Sequence, residues 1–327
     1  MKAIVYTQYG SPDVLQVQDV EKPEPKKNEI LVKVRAASVN RTDCANLRAK
    51  PFIMRFMLGL FKPNKRILGT EFAGDVVKTG EGVTSFGVGD KVFGFDDSVL
   101  SSYAEYLVVQ TSKGVSTMPE GFNYQQAGAC IEGAHYAYNI INKIELKRGQ
   151  KVMVNGASGG IGTATVQLLK YFDANITAVC NTKNIELVKS LGAAKVIDYS
   201  KEDFTKDPGK YDYVFDTVGK STFGKCKSLL KPGGVYISSE LGPWSQNIFY
   251  SLITALFGGI PGLEGKKVKF PYPPNIKRSV LLIKKLIEEG KFKSVIDRTY
   301  PLEKVADAFR YVEKGQKTGN VSILFGH

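Results

Sequence analysis

The feature that most constrains this chain is a glycine cluster placed directly after an apolar run. Val152, Met153 and Val154 lead into Asn155-Gly156, and glycines follow at 159, 160 and 162. A stretch without proline then continues to Tyr171, with Ala164, Val166, Leu168 and Leu169 as its apolar residues. The pattern predicts a buried strand, a tight turn and a helix. Ser158, Gly159, Gly160, Ile161 and Gly162 then lie where backbone can approach an anion closely. The new helix offers unpaired N–H groups and its positive dipole end there, and a pyrophosphate fits.

A glycine-rich turn alone is a weak signal, because it can serve packing only. The residues downstream strengthen it. Short apolar strands are predicted over 175–180, 195–198, 211–216 and 234–238, with a helix over 186–191 stopped by Gly192. Strands alternating with helices predict a doubly wound parallel α/β sheet with ligand contacts at the strand C-termini.

A chain of 327 residues suggests more than one domain. Residues 1 to about 120 read as short strands punctuated by Gly and Pro, a β-rich, barrel-like domain. Residues 126–141 are expected to form one linking helix, 277–289 an amphipathic helix, and 317–324 a strand returning to the first domain. The domains are thus expected at 1–122, 123–265 and 266–327, the last rejoining the first. No apolar stretch reaches membrane-spanning length, and the chain enters a strand pattern at once, so no targeting peptide is expected. Four scattered cysteines suit reduced thiols and a cytoplasmic setting. The net charge of +13 comes from dispersed lysines, not from a basic stripe with interleaved aromatics, so a nucleic-acid partner is not expected.

Several motifs in order carry a family resemblance: Asn40-Arg41-Thr42-Asp43, Gly69-Thr70-Glu71, Gly89-Asp90-Lys91-Val92, the glycine turn, Asp216-Thr217-Val218-Gly219 and Lys231-Pro232-Gly233-Gly234. The chain resembles the zinc-free quinone oxidoreductase branch of the medium-chain dehydrogenase/reductases. Within it, the chain is similar to the chloroplast-envelope quinone oxidoreductase homologues and the alkenal/one oxidoreductases. The resemblance spans essentially the whole chain and implies a Rossmann cofactor domain with a GroES-like barrel domain. By analogy with such relatives, a homodimer is expected.

Alcohol dehydrogenases of this superfamily carry a Cys where this chain has Asn40 and a His where it has Thr70. Cys130 is left in the region of a third ligand, and the only histidines are His135 and His327. Catalytic zinc needs three protein ligands, so no metal is expected. Without a Lewis acid, a conjugated acceptor is the easier substrate, because charge arriving with hydride spreads onto oxygen, where hydrogen-bond donors can stabilise it. The expected reaction is reduction of a quinone or an α,β-unsaturated carbonyl. An NADPH-binding protein with weak or no turnover, structural or peripheral to a membrane, is the alternative.

The second predicted strand ends at Cys180 without an acidic residue before Glu186; NAD-preferring folds usually place one there. Asn181, Thr182 and Lys183 can instead meet a phosphate, and Tyr199 matches a tyrosine near the adenosine phosphate in quinone reductases, so NADPH is the expected cofactor. The resemblance puts Asn40 and Thr42 beside the nicotinamide, with Asp43 buttressing their loop. Val218 and Gly219 would pass under the ribose, with Leu241 and Asn320 near the carboxamide. Lys50 corresponds by offset to a lysine that alkenal reductases place near cofactor and substrate, although a solvated loop explains it equally well. No tyrosine occurs between Thr42 and Lys65, which counts against enoyl reduction. The apolar stretches 51–61 and 244–263 are read either as walls of a substrate pocket, as a peripheral membrane contact with Arg55, Lys62, Lys65 and Arg66, or as ordinary core or dimer surface.

Overall fold

The computed structural model describes residues 1–52, 54–97, 100–271 and 275–326; Ile53 of the first apolar stretch and His327 are among the residues outside these. The chain divides into two compact units, Met1–Glu132 with Asn275–His327, and Gly133–Pro274. The breaks fall later than the expected 122/123 and 265/266, for two reasons. The helix Tyr124–Ala127 packs on the strand Glu29–Val39 of the first unit. The strand Lys267–Lys269 pairs with Leu230–Ser238 and so extends the sheet of the second.

The second unit holds six parallel strands in the order Lys195–Asp198, Asn175–Cys180, Lys151–Asn155, Tyr211–Asp216, Leu230–Ser238 and Lys267–Lys269. The first strand in sequence is central and the chain winds outward from it both ways. The order therefore reverses between Lys151–Asn155 and Tyr211–Asp216, which is where a doubly wound sheet opens its ligand crevice. Helix Gly160–Tyr171 starts after Gly159 and a turn in which Gly156 takes φ +81°. Only glycine fits twice more. A Cβ on Gly162 would lie 2.1 Å from the Gly156 carbonyl oxygen, and one on Gly133 would lie 2.7 Å from the Gly160 backbone. Met153, Val179, Val214 and Tyr236 pack the core beneath.

In the first unit the long strand Glu29–Val39 organises a seven-stranded sheet. Along one edge it pairs antiparallel with Glu71–Thr79; along the other it pairs first with Tyr106–Gln110 and then with Asn320–Leu324. The C-terminal strand thus returns as expected. Its neighbour Ile296–Pro301 was not legible in the sequence, because its residues are half-buried or exposed and it has no buried face to impose an apolar alternation. Phe72, Val34, Leu68 and Phe309 fill this unit's core, with Phe309 edge-on to Tyr103 at 5.9 Å.

The single helix expected over 126–141 is two, Tyr124–Ala127 and Ile131–Ile141. The apolar stretch 244–263 is mostly the helix Gln246–Phe257. Among the described residues no helix is long and apolar enough to cross a membrane.

Alanine favours helices over glycine, so the Gly162→Ala substitution separates propensity from packing. The 2.1 Å approach predicts a loss of about 2–4 kcal/mol in urea unfolding. A neutral or stabilising result would show that the turn can relax.

Candidate functional site

The second unit presents a dinucleotide cradle. Gly160, Ile161 and Gly162 form the first turn of a 12-residue helix, where backbone N–H groups lack intrahelical acceptors. Ser158 through Ile161 remain half-buried, so the turn is open to a ligand. Asp216, fully buried at the end of its strand, shapes the neighbouring loop. Its carboxylate accepts the Asn155 Nδ2–H at 3.0 Å and the backbone N–H groups of Val218, Gly219 and Ser221 at 3.3, 3.1 and 3.0 Å. Val218 lies against Gly156, and Gly219, at φ +65°, has no room for a Cβ beside the Glu240 side chain. Leu241, half-buried, follows directly. The structure therefore brings the glycine turn, Val218, Gly219 and the 240–241 segment together, and these residues fit a dinucleotide.

The adenosine end differs from expectation in one respect. The Thr182 hydroxyl donates to Asp198 Oδ2 at 2.5 Å, so it is committed, and a carboxylate does lie beside this turn after all. It comes from the third strand, not the second, which is why reading the strand end alone missed it. Asp198 also accepts the Ser200 N–H, and Lys201 Nζ lies 3.9 Å away; the Thr182 bond above all holds its carboxyl below the usual range. Asn181 accepts from Asn184 Nδ2, while Lys183 and Tyr199 are exposed.

The first unit contains a buried polar cluster centred on Asn40. Asn40 caps the helix Arg41–Arg48, and the Asp43 carboxyl accepts its backbone N–H at 2.8 Å, closing a capping box. Asp43 thus buttresses the turn. The Asn40 Nδ2 donates to Glu132 Oε2 and to Ser38 Oγ, both at 3.1 Å. Thr70 donates to the same Glu132 oxygen at 2.9 Å, and the Thr42 hydroxyl also bonds this carboxyl. Ser38 donates to Glu71 Oε2 at 2.7 Å. The other Glu71 oxygen accepts the N–H groups of Cys130 at 2.8 Å, of Ile131, and of Glu132 at 3.3 Å. That carboxyl caps the helix Ile131–Ile141 and explains why the chain breaks there.

Two lysines are placed differently with respect to this cluster. Lys50 follows the far end of the helix Arg41–Arg48, about 12 Å of helix from Asn40, and is exposed. The lysine at the cluster is instead Lys317, whose Nζ donates to Asn40 Oδ1 at 3.2 Å and to the Gly319 carbonyl. No sequence signal pointed to it, since it arrives from the C-terminal end of the chain. Asn320 is buried and bonds the Val295 carbonyl through both its backbone N–H and Nδ2.

The residues at the zinc-ligand positions do not make a zinc donor set. Asn40 and Thr70 are bound into the cluster, and Cys130 donates its thiol to the Ala127 carbonyl at 3.4 Å. Burial, with Glu71 adding to it, pushes that thiol well above its ordinary value, which opposes the thiolate a metal needs. His135, in the other unit, is buried, bonded to Asn139 at 3.0 Å and held down to about 4 by burial. Among the described residues no group of three or more His, Cys, Asp or Glu is arranged to hold a metal.

Burial, then the Glu132 charge, pushes the Glu71 carboxyl up to about 7 from an ordinary value of 4.5. The folded state therefore holds a proton that the unfolded chain releases. Glu71's contribution to stability is full below pH 4.5 and is lost as pH rises through about 7. Glu71→Gln keeps an acceptor for the helix N–H groups and removes the titration, so its unfolding free energy should fall less steeply across that window than the parent's. Glu71→Ala, which orphans those N–H groups, should lose about 2–4 kcal/mol. Parallel pH slopes for the parent and Glu71→Gln would contradict the assignment.

Comparison with known proteins agrees with this geometry. An alcohol dehydrogenase GroES-like domain family matches residues 26–120, and a zinc-binding dehydrogenase family matches residues 191–322. The 2-methylene-furan-3-one reductase of Solanum lycopersicum is 34% identical over 99% of this chain and 79% of its own length. The chloroplastic NADPH-dependent alkenal/one oxidoreductase of Arabidopsis thaliana is 31% identical over the same shares. The chloroplastic quinone-oxidoreductase homolog of Spinacia oleracea is 32% identical over 99% of this chain and 98% of its own. The solved quinone oxidoreductase from Coxiella burnetii superposes with a TM-score of 0.87 at 26% identity, covering 99% of each chain. With a parallel six-stranded dinucleotide sheet, a GroES-like unit and relatives along its full length, the chain belongs to the medium-chain dehydrogenase/reductase family and is an oxidoreductase.

Proposed function

We propose that this enzyme reduces the conjugated carbon of quinones or α,β-unsaturated carbonyls with NADPH and without a metal ion. The observation that carries the reading is the Asn40 cluster. Where a metal-dependent relative would need ligands, this chain has hydrogen-bond donors: the Asn40 amide and the Thr70 hydroxyl are taken up by Glu132, and the Lys317 ammonium keeps an N–H beyond its two bonds. A donor of that kind stabilises charge spread onto an oxygen but polarises an isolated ketone less well than a Lewis acid. The names of the curated relatives, which include alkenal/one and quinone oxidoreductases, point the same way.

The nicotinamide, when bound, supplies the hydride. Gly160, Ile161 and Gly162 would hold the pyrophosphate with backbone N–H groups, and Val218 and Gly219, fixed by Asp216, would support the ribose. Exposed Lys183 and Lys201, together with Tyr199, favour a 2′-phosphate, and the Asp198 carboxylate is already engaged by Thr182, Ser200 and Lys201. Asn40 and Thr42, their own donors held by Glu132 and Ser38, shape the substrate site, and Asn40 anchors the Lys317 ammonium there.

A panel of a benzoquinone, an alkenal, a vinyl ketone and a simple aldehyde, with NADPH or NADH and with or without chelator, tests this. Turnover on the conjugated acceptors, preferring NADPH and indifferent to chelator, is expected. Lys183→Glu should raise the NADPH KM about tenfold, equivalent to about 1.4 kcal/mol, and spare NADH. Chelator-sensitive aldehyde reduction would overturn the reading.

A second reading concerns where the enzyme works. Phe52, Phe56, Met57, Leu60 and Phe61 are exposed, up to 87% for Phe61, so this stretch is not core of its unit. Between Cys44 and Thr70 there is no acidic residue, while Arg48, Lys50, Arg55, Lys62, Lys65 and Arg66 all lie there. Apolar side chains flanked by cations suit an anionic bilayer surface. The helix Gln246–Phe257 also exposes Phe249, Leu252, Leu256 and Phe257, but residues 244–263 carry no charge, which suits a substrate wall or another copy of the chain better. Flotation with anionic but not zwitterionic vesicles, weakened by salt, is expected; no flotation with either at low salt would end the membrane reading.

A further inference from the structure

The geometry points to Lys317 as the acid that protonates the reduced substrate, donating from Nζ to the oxygen of the enolate that hydride addition forms. The inference rests on the reductase reading above and adds to it a proton donor. Hydride adds to the conjugated carbon, the electron pair of the π system moves onto oxygen, and a proton from the Lys317 ammonium forms the O–H bond. The neutral amine then takes a proton from water, so NADPH, one proton and the acceptor become NADP⁺ and the reduced product. An enone leaves as its enol, which ketonises, and a quinone leaves as the enol-ketone, which tautomerises in water to hydroquinone by losing a ring C–H proton and gaining one on the second oxygen.

Three observations on Lys317 carry this. Its ammonium has three N–H groups, yet the bonds it makes go to two neutral oxygens, Asn40 Oδ1 at 3.2 Å and the Gly319 carbonyl. Among the described residues it forms no ion pair within 4.0 Å, although it is half-buried. It is also anchored to the side chain of the residue that caps the Arg41–Arg48 helix, the motif to which the reductase reading assigns the substrate site. The other acids nearby are poorly suited. Glu132 is buried beneath Asn40, Thr42 and Thr70, which occupy it, and Asp43 holds the helix cap.

The electrostatic surroundings fit a donor working near neutral pH. The charged and titratable groups facing Lys317 are Glu132 at the start of its helix, Asp297 on the strand Ile296–Pro301, and Cys44 and Arg41 on the Arg41–Arg48 helix. Burial outweighs the attraction of Glu132 and Asp297 and lowers the ammonium to about 8. An acid so placed gives up its proton readily while remaining mostly protonated at pH 7.

The test compares the full-length parent with Lys317→Met and Lys317→Arg, measuring kcat, both KM values and NADPH affinity from about pH 6 to about pH 10. The parent kcat should fall as pH rises through about 8. Lys317→Met should lose about 10²- to 10⁴-fold in kcat, keep its NADPH affinity, and lose that alkaline limb. Lys317→Arg, charged throughout the range, should keep part of the rate with the limb displaced upward. Matching NADPH affinity and thermal unfolding show that a variant is folded; should Lys317→Met fail to fold, the parent's limb and its displacement in Lys317→Arg decide. The inference is overturned if Lys317→Met retains kcat within about threefold, or if the loss falls only on NADPH affinity, which would make Lys317 a cofactor ligand. A parent active on conjugated acceptors with unaffected variants overturns this inference alone. A parent inactive on all of them overturns the reductase reading and this inference with it.

Discussion

The first unit depends on a buried carboxyl. Glu71 starts a central strand of the sheet and reaches the first N–H groups of the helix Ile131–Ile141 while accepting the Ser38 hydroxyl from the neighbouring strand. Such N–H groups have no intrahelical acceptor, and a buried carboxyl has no water, so each offsets the desolvation of the other. Two more carboxyls, Asp43 and Glu132, share this interior, and burial raises all three. Like charges at close quarters do not all ionise together, and Glu71, pushed up to about 7, still holds its proton part of the time at neutral pH. Around it, Asn40, Thr42, Thr70 and Lys317 are held as hydrogen-bond donors.

That arrangement bears on the chemistry. Donors fixed before substrate arrives need no reorganisation when charge develops, which is the main source of electrostatic catalysis. The Asn40 cap, its Asp43 partner and the Glu132 carboxyl beneath fix the amide from several directions. In the second unit, Asp216 plays a comparable part. One buried carboxylate gathers three backbone N–H groups and the Asn155 amide, setting the loop that carries Val218 and Gly219. In both units a buried acid positions a turn, and the turn carries the candidate contacts.

The cofactor unit was largely legible in the sequence because its signals are local. The glycine turn, the apolar strands and their alternation with helices each occupy a few consecutive residues, and four of the strands begin and end at or within a residue of expectation. The polar cluster was legible only in part, at Asn40, Thr42, Asp43 and Thr70, through two short motifs. Glu132 meets Asn40 from 92 residues away and Lys317 from 277, and no periodicity encodes such meetings. Offset along the chain suggested Lys50, but the Arg41–Arg48 helix carries it away from Asn40. The Thr182–Asp198 bond was missed similarly, because it joins the ends of two strands that are adjacent only once the sheet forms. The apolar runs 51–61 and 244–263 were visible as composition, but composition could not show that many of their large side chains stay outside the cores of their units.

The central claim is that hydride is delivered to a conjugated carbon rather than to a carbonyl carbon. It is tested most directly by single-turnover reduction of an α,β-unsaturated ketone with NADPH deuterated at nicotinamide C4, in each stereochemical form, followed by mass and NMR location of the label. The account predicts deuterium from one of the two forms at the β-carbon of a saturated ketone. Deuterium on a carbinol carbon, with the double bond intact, would contradict it and return the protein to alcohol dehydrogenase chemistry.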